Sequence, residues 1–285
     1  MHQELGVTDA WQKAVIDLGV TPVEGQCIDV LHTAARCCLP NLAMHALQIL
    51  MGLQVPLAEH HMAPVLEAFC GRRMLEEAFS IVNLMRSSDV RCSPETALQL
   101  TKCISGDIDQ VDEAWSILEK MNQEKKVVDV VSLNAIIHAA ILLNDLQRAI
   151  GTYKAFGDFG VNADISTFNH LLSGCISASH RELGDRLLSE LRELGLVPDK
   201  VTFERMIVLC LTQTVYEDAF FYLEEMKGQG HMPPISVYTA LIRKCVVSGD
   251  VRWKIALDEM KDCGYEVSPN LQLFIDTGGK MRTRA

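Results

Sequence analysis

The histidines are the first residues to consider for catalysis or metal binding, because imidazole titrates near neutral pH and is a common metal ligand. His138 and His170 lie in successive segments with a helical pattern of apolar residues. A general base needs a nucleophile and an orienting group within reach, and neither recurs at a suitable spacing from these two. His60 and His61 are adjacent, but they have no cysteine or histidine partner at the spacing of a zinc site. The sequence therefore predicts no catalysis, no metal site and no cofactor.

The cysteines predict a reduced protein rather than a disulfide-bonded one. They are Cys27, Cys37, Cys38, Cys70, Cys92, Cys103, Cys175, Cys210, Cys245 and Cys263. No two of them form a Cys-x-x-Cys pair, and most fall inside apolar helical segments. A small secreted scaffold would place its cysteines in turns. We interpret these as small buried apolar side chains in a reducing compartment.

Composition and charge exclude several classes of protein. The chain has 285 residues, of which 48% are hydrophobic and 22% charged, which excludes a disordered protein. A net charge of −11 argues against a protein that coats nucleic acid without specificity, since phosphate binding relies on Lys and Arg. No apolar run is long enough for a transmembrane helix. The first residues, MHQELG, resemble neither a signal peptide nor a transit peptide, so the sequence alone indicates a cytosolic or nuclear protein, or a chain that lacks its leader.

A repeat of 35 residues organises the sequence. Apolar residues recur with helical spacing in segments of ordinary helix length, and glycine and proline fall mostly between these segments. Residues 130–164, 165–199 and 200–234 align without gaps, and residues 235–270 align with one extra residue. The same frame extends back to units at 27–58, 59–94 and 95–129.

Each unit has the pattern of two helices joined by a tight turn. Apolar residues at positions 4, 7, 8 and 11 lie on one face of the first helix. A small residue recurs early in the second helix, at Ala46, Ala78, Ala114, Ala149, Gly184 and Ala219. The second helix is followed by Gly160, Gly195 or Gly230 in three units, which suits a left-handed C-cap. In the unit at 95–129, Thr101, Lys102 and Ser105 occupy the expected core positions, which predicts a register shift of one residue.

One such hairpin cannot bury its apolar face alone, whereas stacked neighbours can. We therefore predict an all-α protein, a right-handed superhelical α-solenoid of about seven stacked helix-turn-helix repeats. Residues 27–270 form the array, with the clearest repeats at 130–234. Residues 1–26 are predicted to be a partial repeat or an N-terminal cap, and residues 271–285 a C-terminal tail.

The repeats resemble the pentatricopeptide repeat (PPR) family. The period of 35 agrees with that family, as do VVSLN at 130–134, closed by Asp164, and ISTFN at 165–169, closed by Pro198 and Asp199. Tetratricopeptide repeats, the nearest alternative, have a 34-residue period and a Trp-Leu-Gly-Tyr pattern that is not found here. The resemblance covers about residues 27–270 and is strongest at 130–234.

The resemblance implies a binding protein for single-stranded RNA in an organelle, the mitochondrion, acting in RNA processing, stability or translation. Family members recognise about one base per repeat. Position 5 and the last residue of a repeat face the base in the family, and position 2 packs against the face of the base. Two pairs match the combination that prefers uridine, Asn134 with Asp164 and Asn169 with Asp199. A third matches the adenine-type combination, Thr239 with Asn270. Position 2 is held by Val131, Ser166 and Val201.

Simpler structural roles exist for the same side chains. Asn134 and Asn169 could make local hydrogen bonds near a helix start, and Asp164 and Asp199 could cap the helix that follows. The two roles are compatible for the aspartates.

The charge distribution leaves an alternative function open. Family members often place a lysine near the end of the first helix to meet phosphate, whereas this chain has Leu142, Ser177 and Thr212 there. Modest RNA affinity, or a second function as a protein-interaction scaffold or ribonucleoprotein subunit, follows from that scarcity. We expect no appended catalytic domain in this sequence, because only residues 271–285 follow the repeats.

Overall fold

A computed structural model describes residues 2–279, with side chains from residue 6 onward, and all regular secondary structure in that range is helical. The chain forms two compact units, one ending at Asn162 and the other beginning at Ala163. The first unit contains α1 (His2–Trp11), α2 (Glu24–Arg36), α3 (Pro40–Gly52), α4 (Glu59–Gly71), α5 (Leu75–Ser87), α6 (Pro94–Ile104), α7 (Ile108–Gln123), α8 (Val130–Leu142) and α9 (Leu146–Lys154). The second contains α10 (Ile165–Ser177), α11 (Arg181–Glu193), α12 (Lys200–Leu211), α13 (Glu217–Gly228), α14 (Ile235–Ser248), α15 (Trp253–Asp262) and α16 (Pro269–Asp276).

Both units are stacks of helical hairpins. Within each unit, a first helix packs against the second helix of its own repeat and against the first helix of the next repeat in that unit. In the first unit this series of first helices is α2, α4, α6 and α8, and in the second unit it is α10, α12, α14 and α16. The prediction of an all-α repeat protein is therefore confirmed.

The first helices form because one face of each is continuously apolar. Positions 4, 7, 8 and 11 are fully buried in α10, α12 and α14, as predicted. In α10 these positions are Phe168, Leu171, Leu172 and Cys175. Burial of an apolar side chain of this size contributes roughly 1.5–3 kcal/mol relative to exposure. The stacking of consecutive first helices therefore supplies the energy that a single hairpin lacks.

Small residues let the two helices of a hairpin approach each other. The alanines predicted at this position, from Ala46 to Ala219, are fully buried. Gly184 is constrained from two sides, because a Cβ atom at this position would lie 3.6 Å from Cδ2 of Leu172 on α10, its hairpin partner, and only 2.2 Å from Cδ2 of Leu209 on α12, in the next repeat. The backbone of α11 thus packs directly against a leucine of α12.

Turns between elements follow the predicted chemistry. Gly160, Gly195 and Gly230 have φ values of 65°, 74° and 80°, which confirms the left-handed caps. At the other end of the hairpins, Asp129, Asp164 and Asp199 cap α8, α10 and α12 by accepting backbone N–H groups. Aspartate is among the most favourable N-cap residues, since its carboxylate satisfies N–H groups that lack partners in the helix.

The weakest repeat is shifted by one residue, as predicted. Ser93 caps α6 and accepts a hydrogen bond from the backbone N–H of Thr96, so the repeat begins at Pro94. Leu100, Thr101 and Ile104 are consequently buried, whereas Lys102 is exposed.

Helical structure continues at both ends of the repeat array. Helix α1 continues into a π-helical turn at Gln12–Asp17, and the indole Nε1 of Trp11 donates to Nδ1 of His45 at 3.0 Å. Near the other end, Ser268 caps α16, which packs on α14 as the first helix of a further repeat would. The segment predicted to be a tail from residue 271 therefore begins inside a helix, because Ser268 and Pro269 form a favourable helix start. Residues 280–285 of that segment lie outside the described residues.

Candidate nucleic-acid interface

Asn169 of α10 is hydrogen-bonded to the start of α12. Its Nδ2 donates to Oδ1 of Asp199 at 3.1 Å, and its Oδ1 accepts from Oγ1 of Thr202 at 2.8 Å. Asp199 also accepts from the backbone N–H of Thr202 at 2.8 Å and thereby caps α12. The structure therefore brings position 5 of this repeat into contact with the last residue of the same repeat.

The carboxyl group of Asp199 is held in its ionised form. Partial burial opposes ionisation, but hydrogen bonds from the Thr202 backbone, Asn169 and the Thr202 hydroxyl outweigh it and leave the pKa below the ordinary value. An ionised carboxylate can only accept hydrogen bonds. The Nδ2 group of Asn169 must therefore face Asp199, which fixes the orientation of the amide.

This orientation leaves part of the Asn169 amide available to a ligand. One Nδ2–H and one lone pair on Oδ1 remain after the bonds to Asp199 and Thr202 are counted. The side chain is 6% exposed, so a ligand can reach only its edge. That edge offers one donor beside one acceptor in a fixed order.

The other predicted uridine pair lies at the same positions of the preceding repeat. Asn134 is on α8 in the first unit and is 5% exposed, close to the value for Asn169. Asp164 begins the second unit, where it caps α10 and accepts from the backbone N–H of Thr167 at 2.8 Å. The capping role considered for both aspartates is thus confirmed, and the base contacts of Asn134 and Asp164 stay predictions.

Position 2 is accessible where position 5 is not. Ser166 and Val201 are exposed, and Val131 is half-buried, each in the first turn of its helix. Side chains placed in this way can contact the face of a flat ligand without a rearrangement of the protein core.

The third predicted pair is not aligned with the other two. Asn270 is the second residue of α16 and is exposed, whereas the residue that caps this helix is Ser268. The position equivalent to Asp164 and Asp199 is therefore Ser268, because the last aligned repeat is one residue shorter than 35 rather than one longer. Thr239, which is half-buried on α14, would pair with Ser268 instead of Asn270.

Arg205 is a basic residue near this cluster that the sequence reasoning missed. It lies on α12, and burial lowers the pKa of its guanidinium while the charge of Asp199 opposes that shift. Its Nη1 is buried and has no hydrogen-bond partner among the described residues. The sequence did contain a signal for this residue, because Arg205 holds position 6 of its repeat, next to the position predicted to face a base.

A second polar cluster, Glu24, His60 and His61, brings together three groups that could hold a metal ion. Spacing alone did not reveal it, because Glu24 comes from α2. His61 is buried, its Nδ1 accepts from the backbone N–H of Ala58 at 3.2 Å, and its Nε2 lies 3.4 Å from Oε1 of Glu24. Because Nδ1 is an acceptor, the proton of the neutral ring is on Nε2 and faces the carboxylate. The arrangement favours a cap on α4 over a metal ligand.

Comparisons with known families agree with this architecture. A family described as pentatricopeptide repeat-containing protein matches residues 24–156, and the pentatricopeptide repeat domain matches residues 155–213. The chain belongs to the pentatricopeptide repeat family, which confirms the resemblance.

Two curated relatives are named as mitochondrial proteins. The chain is 24% identical over 240 residues to the mitochondrial pentatricopeptide repeat-containing protein At1g26460 of Arabidopsis thaliana, covering 78% of this chain and 38% of that protein. It is 25% identical over 154 residues to the mitochondrial 15S rRNA processing factor ppr3 of Schizosaccharomyces japonicus, covering 52% of this chain and 22% of that protein. The chain thus spans well under half the length of these relatives.

Solved structures share the fold. The maize pentatricopeptide repeat protein PPR10 matches with a TM-score of 0.51 and 20% identity, covering 90% of this chain and 37% of that one. The PPR domain of Arabidopsis thaliana protein-only RNase P 1, solved with tRNA, matches with a TM-score of 0.53 and 17% identity, covering 65% of this chain and 98% of that one.

No helix in the described part of the chain combines the length and the apolar character required to cross a bilayer.

Proposed function

We propose that this protein is a mitochondrial adaptor that binds single-stranded RNA and recognises uridine with Asn169 and Asp199. The observation that carries the proposal is the hydrogen bond that fixes the Asn169 amide against an ionised Asp199. Asn134 and Asp164 hold the same two repeat positions one repeat earlier in the sequence, and uridine is assigned to them as well. Catalysis is not part of the proposed function, and the output is RNA processing, stability or translation.

A fixed amide discriminates between the pyrimidines. Uracil presents an N3–H donor beside an O4 acceptor, whereas cytosine presents an N3 acceptor beside an N4–H donor. With Oδ1 of Asn169 facing N3 and Nδ2 facing the 4-position, uracil makes two hydrogen bonds. With cytosine, Oδ1 of Asn169 would face the N3 acceptor and Nδ2 would face the N4–H donor, so neither hydrogen bond would form. The accessible Ser166 and Val201 would lie against the faces of the base.

The names of the relatives support RNA as the ligand and the mitochondrion as the location. One relative is named as a mitochondrial rRNA processing factor, and the PPR10 chain that matches with a TM-score of 0.50 was solved with an 18-nt psaJ RNA element. This chain covers 38% of the length of the At1g26460 protein and 44% of that PPR10 chain.

Selection from a randomised single-stranded RNA pool tests the proposal. The winning RNA should contain consecutive uridines, and fluorescence anisotropy at two salt concentrations should show weaker binding by the double variant Asn134→Ala plus Asn169→Ala. Asn41→Ala, at an exposed position on α3, is the matched control. Absence of any enriched sequence, or equal affinity of the double variant, would overturn uridine recognition.

A protein-binding scaffold is the second candidate function, and the net charge of −11 favours it. Large apolar side chains on α13 and α15 are also exposed, with Phe221 at 62% and Ile255 at 59%. Absence of RNA binding in the selection would move the assignment to this candidate.

A further inference from the structure

A cavity in the first unit lies where three segments that connect consecutive repeats come together. It has a volume of about 890 Å³, within the range of pockets that hold small molecules. Its walls come from the end of α5 and the residues after it, from the segment between the end of α7 and the start of α8, and from residues 159–162. These segments are far apart in sequence and come together only because the repeats stack.

The cavity is basic, although the protein is acidic. Four cationic side chains line it, Arg86, Arg91, Lys125 and Lys126, against two carboxylates, Asp89 and Asp129. The protein as a whole carries a net charge of −11, so this concentration of cations stands apart from the rest of the chain.

Two of the four cations are already paired. Nη1 of Arg86 lies 3.1 Å from Oδ2 of the buried Asp129, and Nζ of Lys126 lies 2.7 Å from Oε1 of Glu76. Arg91 and Lys125 are exposed, and no carboxylate of the described residues lies within ion-pair distance of either. Their charges are therefore available to a bound anion.

An aromatic side chain completes the walls. Phe159 is half-buried and packs edge-on against Trp115, with ring centroids 5.3 Å apart and an interplanar angle of 71°. Its contact with Trp115 holds the ring in place. Proteins that bind single-stranded nucleic acids combine aromatic rings with cations, so that a base stacks on the ring and a phosphate contacts the cation.

We propose that this cavity binds one nucleotide unit of single-stranded RNA, with its phosphates at Arg91 and Lys125 and its base against Phe159. The inference rests on the proposed function and adds a source of phosphate neutralisation that the ends of the first helices do not supply. The cavity is continuous with the predicted base-contacting surface of α8, because Val131, the position 2 residue of that repeat, also lines the cavity. A strand held here can therefore pass to the position 2 surface of α8. An acidic protein segment would use the cations but would not need the aromatic wall.

Neutralising the two unpaired cations tests the inference. Binding of a fluorescein-labelled oligouridylate is measured by anisotropy across a series of salt concentrations, with wild-type protein and with Arg91→Gln plus Lys125→Gln. Each phosphate contact on a single strand contributes about 0.7 to the slope of log K against log salt concentration, so the slope should become shallower by about 1.4. Affinity at low salt should fall about tenfold or more.

The control is Lys13→Gln plus Lys154→Gln, which removes the same charge from exposed positions outside the cavity. It should leave the slope nearly unchanged. Circular dichroism confirms that both double variants are folded.

Different results overturn the proposed function and the nucleotide site in the cavity. Wild-type protein that binds no single-stranded RNA overturns the proposed function, and the cavity inference with it. Wild-type binding with an unchanged slope in Arg91→Gln plus Lys125→Gln overturns the cavity inference alone. Loss of binding to a labelled polyglutamate peptide in that variant, with RNA binding intact, would assign the cavity to an acidic protein segment instead.

Discussion

Asn169 and Asp199, thirty residues apart in sequence, are joined by a hydrogen bond of 3.1 Å from the asparagine amide to the aspartate carboxylate. The same carboxylate caps α12, so one side chain both begins a helix and orients the amide of the preceding first helix. Helix capping therefore positions the proposed recognition group, and damage to one should damage the other.

Replacement of Asp199 by alanine should reduce both stability and uridine preference. Loss of an N-cap costs about 0.5–2 kcal/mol, and Asn169 also loses the acceptor that orients it. Urea unfolding measures the first effect, and competition between oligouridylate and oligocytidylate measures the second. Asp258→Ala, at a side chain 74% exposed, is the matched control. Unchanged stability would contradict the capping role.

Thr202→Val should remove the donor to Oδ1 of Asn169 together with the contacts of the same hydroxyl to the Asp199 backbone N–H and carboxylate. The hydroxyl of Thr202 is fully buried and donates to Oδ1 of Asn169 at 2.8 Å. Its removal leaves a buried acceptor short of a donor, at a cost of about 1–3 kcal/mol. The free energy of unfolding should fall by that amount, while the exposed Thr214→Val should be nearly neutral. Equal stability of the two variants would show that the hydroxyl is not engaged.

The lowered pKa of Asp199 predicts a defined dependence of stability on pH. A folded-state pKa below the unfolded value, near 3.9 for aspartate, contributes stability above that value and loses it as pH falls through the folded pKa. The stability advantage of the wild type over Asp199→Asn should therefore be present at neutral pH and narrow below about pH 4. Chemical unfolding of both proteins between neutral and acid pH measures this difference. A constant advantage would mean that Asp199 does not titrate in this way.

Arg205→Met should separate stability from RNA binding. Burial of an Nη1 group without a hydrogen-bond partner costs free energy, so the methionine variant should be as stable as the wild type or more stable by about 1 kcal/mol. The positive charge of Arg205 lies near Asn169 and Asp199 and should attract RNA phosphate, so RNA affinity should fall about three- to tenfold in the variant. Arg186→Met, at an exposed position on α11, is the control for a general loss of charge. Strong destabilisation would contradict the unpaired state of Arg205.

The register of the weakest repeat can be tested with two adjacent substitutions. Thr101 is 2% exposed and Lys102 is exposed. Thr101→Asp should therefore cost about 3 kcal/mol or more, because it buries an unpaired charge. Lys102→Asp should cost about 1 kcal/mol or less, from an unfavourable charge near the end of α6. The reverse order would place the repeat back at residue 95.

Most of the fold could be predicted because it is periodic. The buried faces of α10, α12 and α14, the small residues such as Ala219 and Gly184, and the glycine caps all follow from side-chain size and spacing within one repeat. The boundaries at Ser93 and Ser268 were harder, because a serine cap shifts a helix start by one or two residues without changing the apolar pattern.

The candidate site was only partly predictable. Asn169 and Asp199 could be paired by family resemblance, but the orientation of the amide depends on Thr202, whose hydroxyl reaches it only in the folded stack. The basic cavity was not predictable from the turn that holds Lys125, since Arg91 and Phe159 join it from other repeats. Contacts between repeats depend on packing geometry, which a single sequence does not reveal.

The most direct test of the central claim is the ratio of affinities for oligouridylate and oligocytidylate, measured by anisotropy on the wild type and on Asn169→Ala. An amide that makes two correctly ordered hydrogen bonds should give a preference for uridine of about tenfold, since each bond contributes about 0.5–1.5 kcal/mol. That preference should fall towards unity in the variant, while binding to both RNAs persists through phosphate contacts. An equal preference in the two proteins would contradict uridine recognition by Asn169.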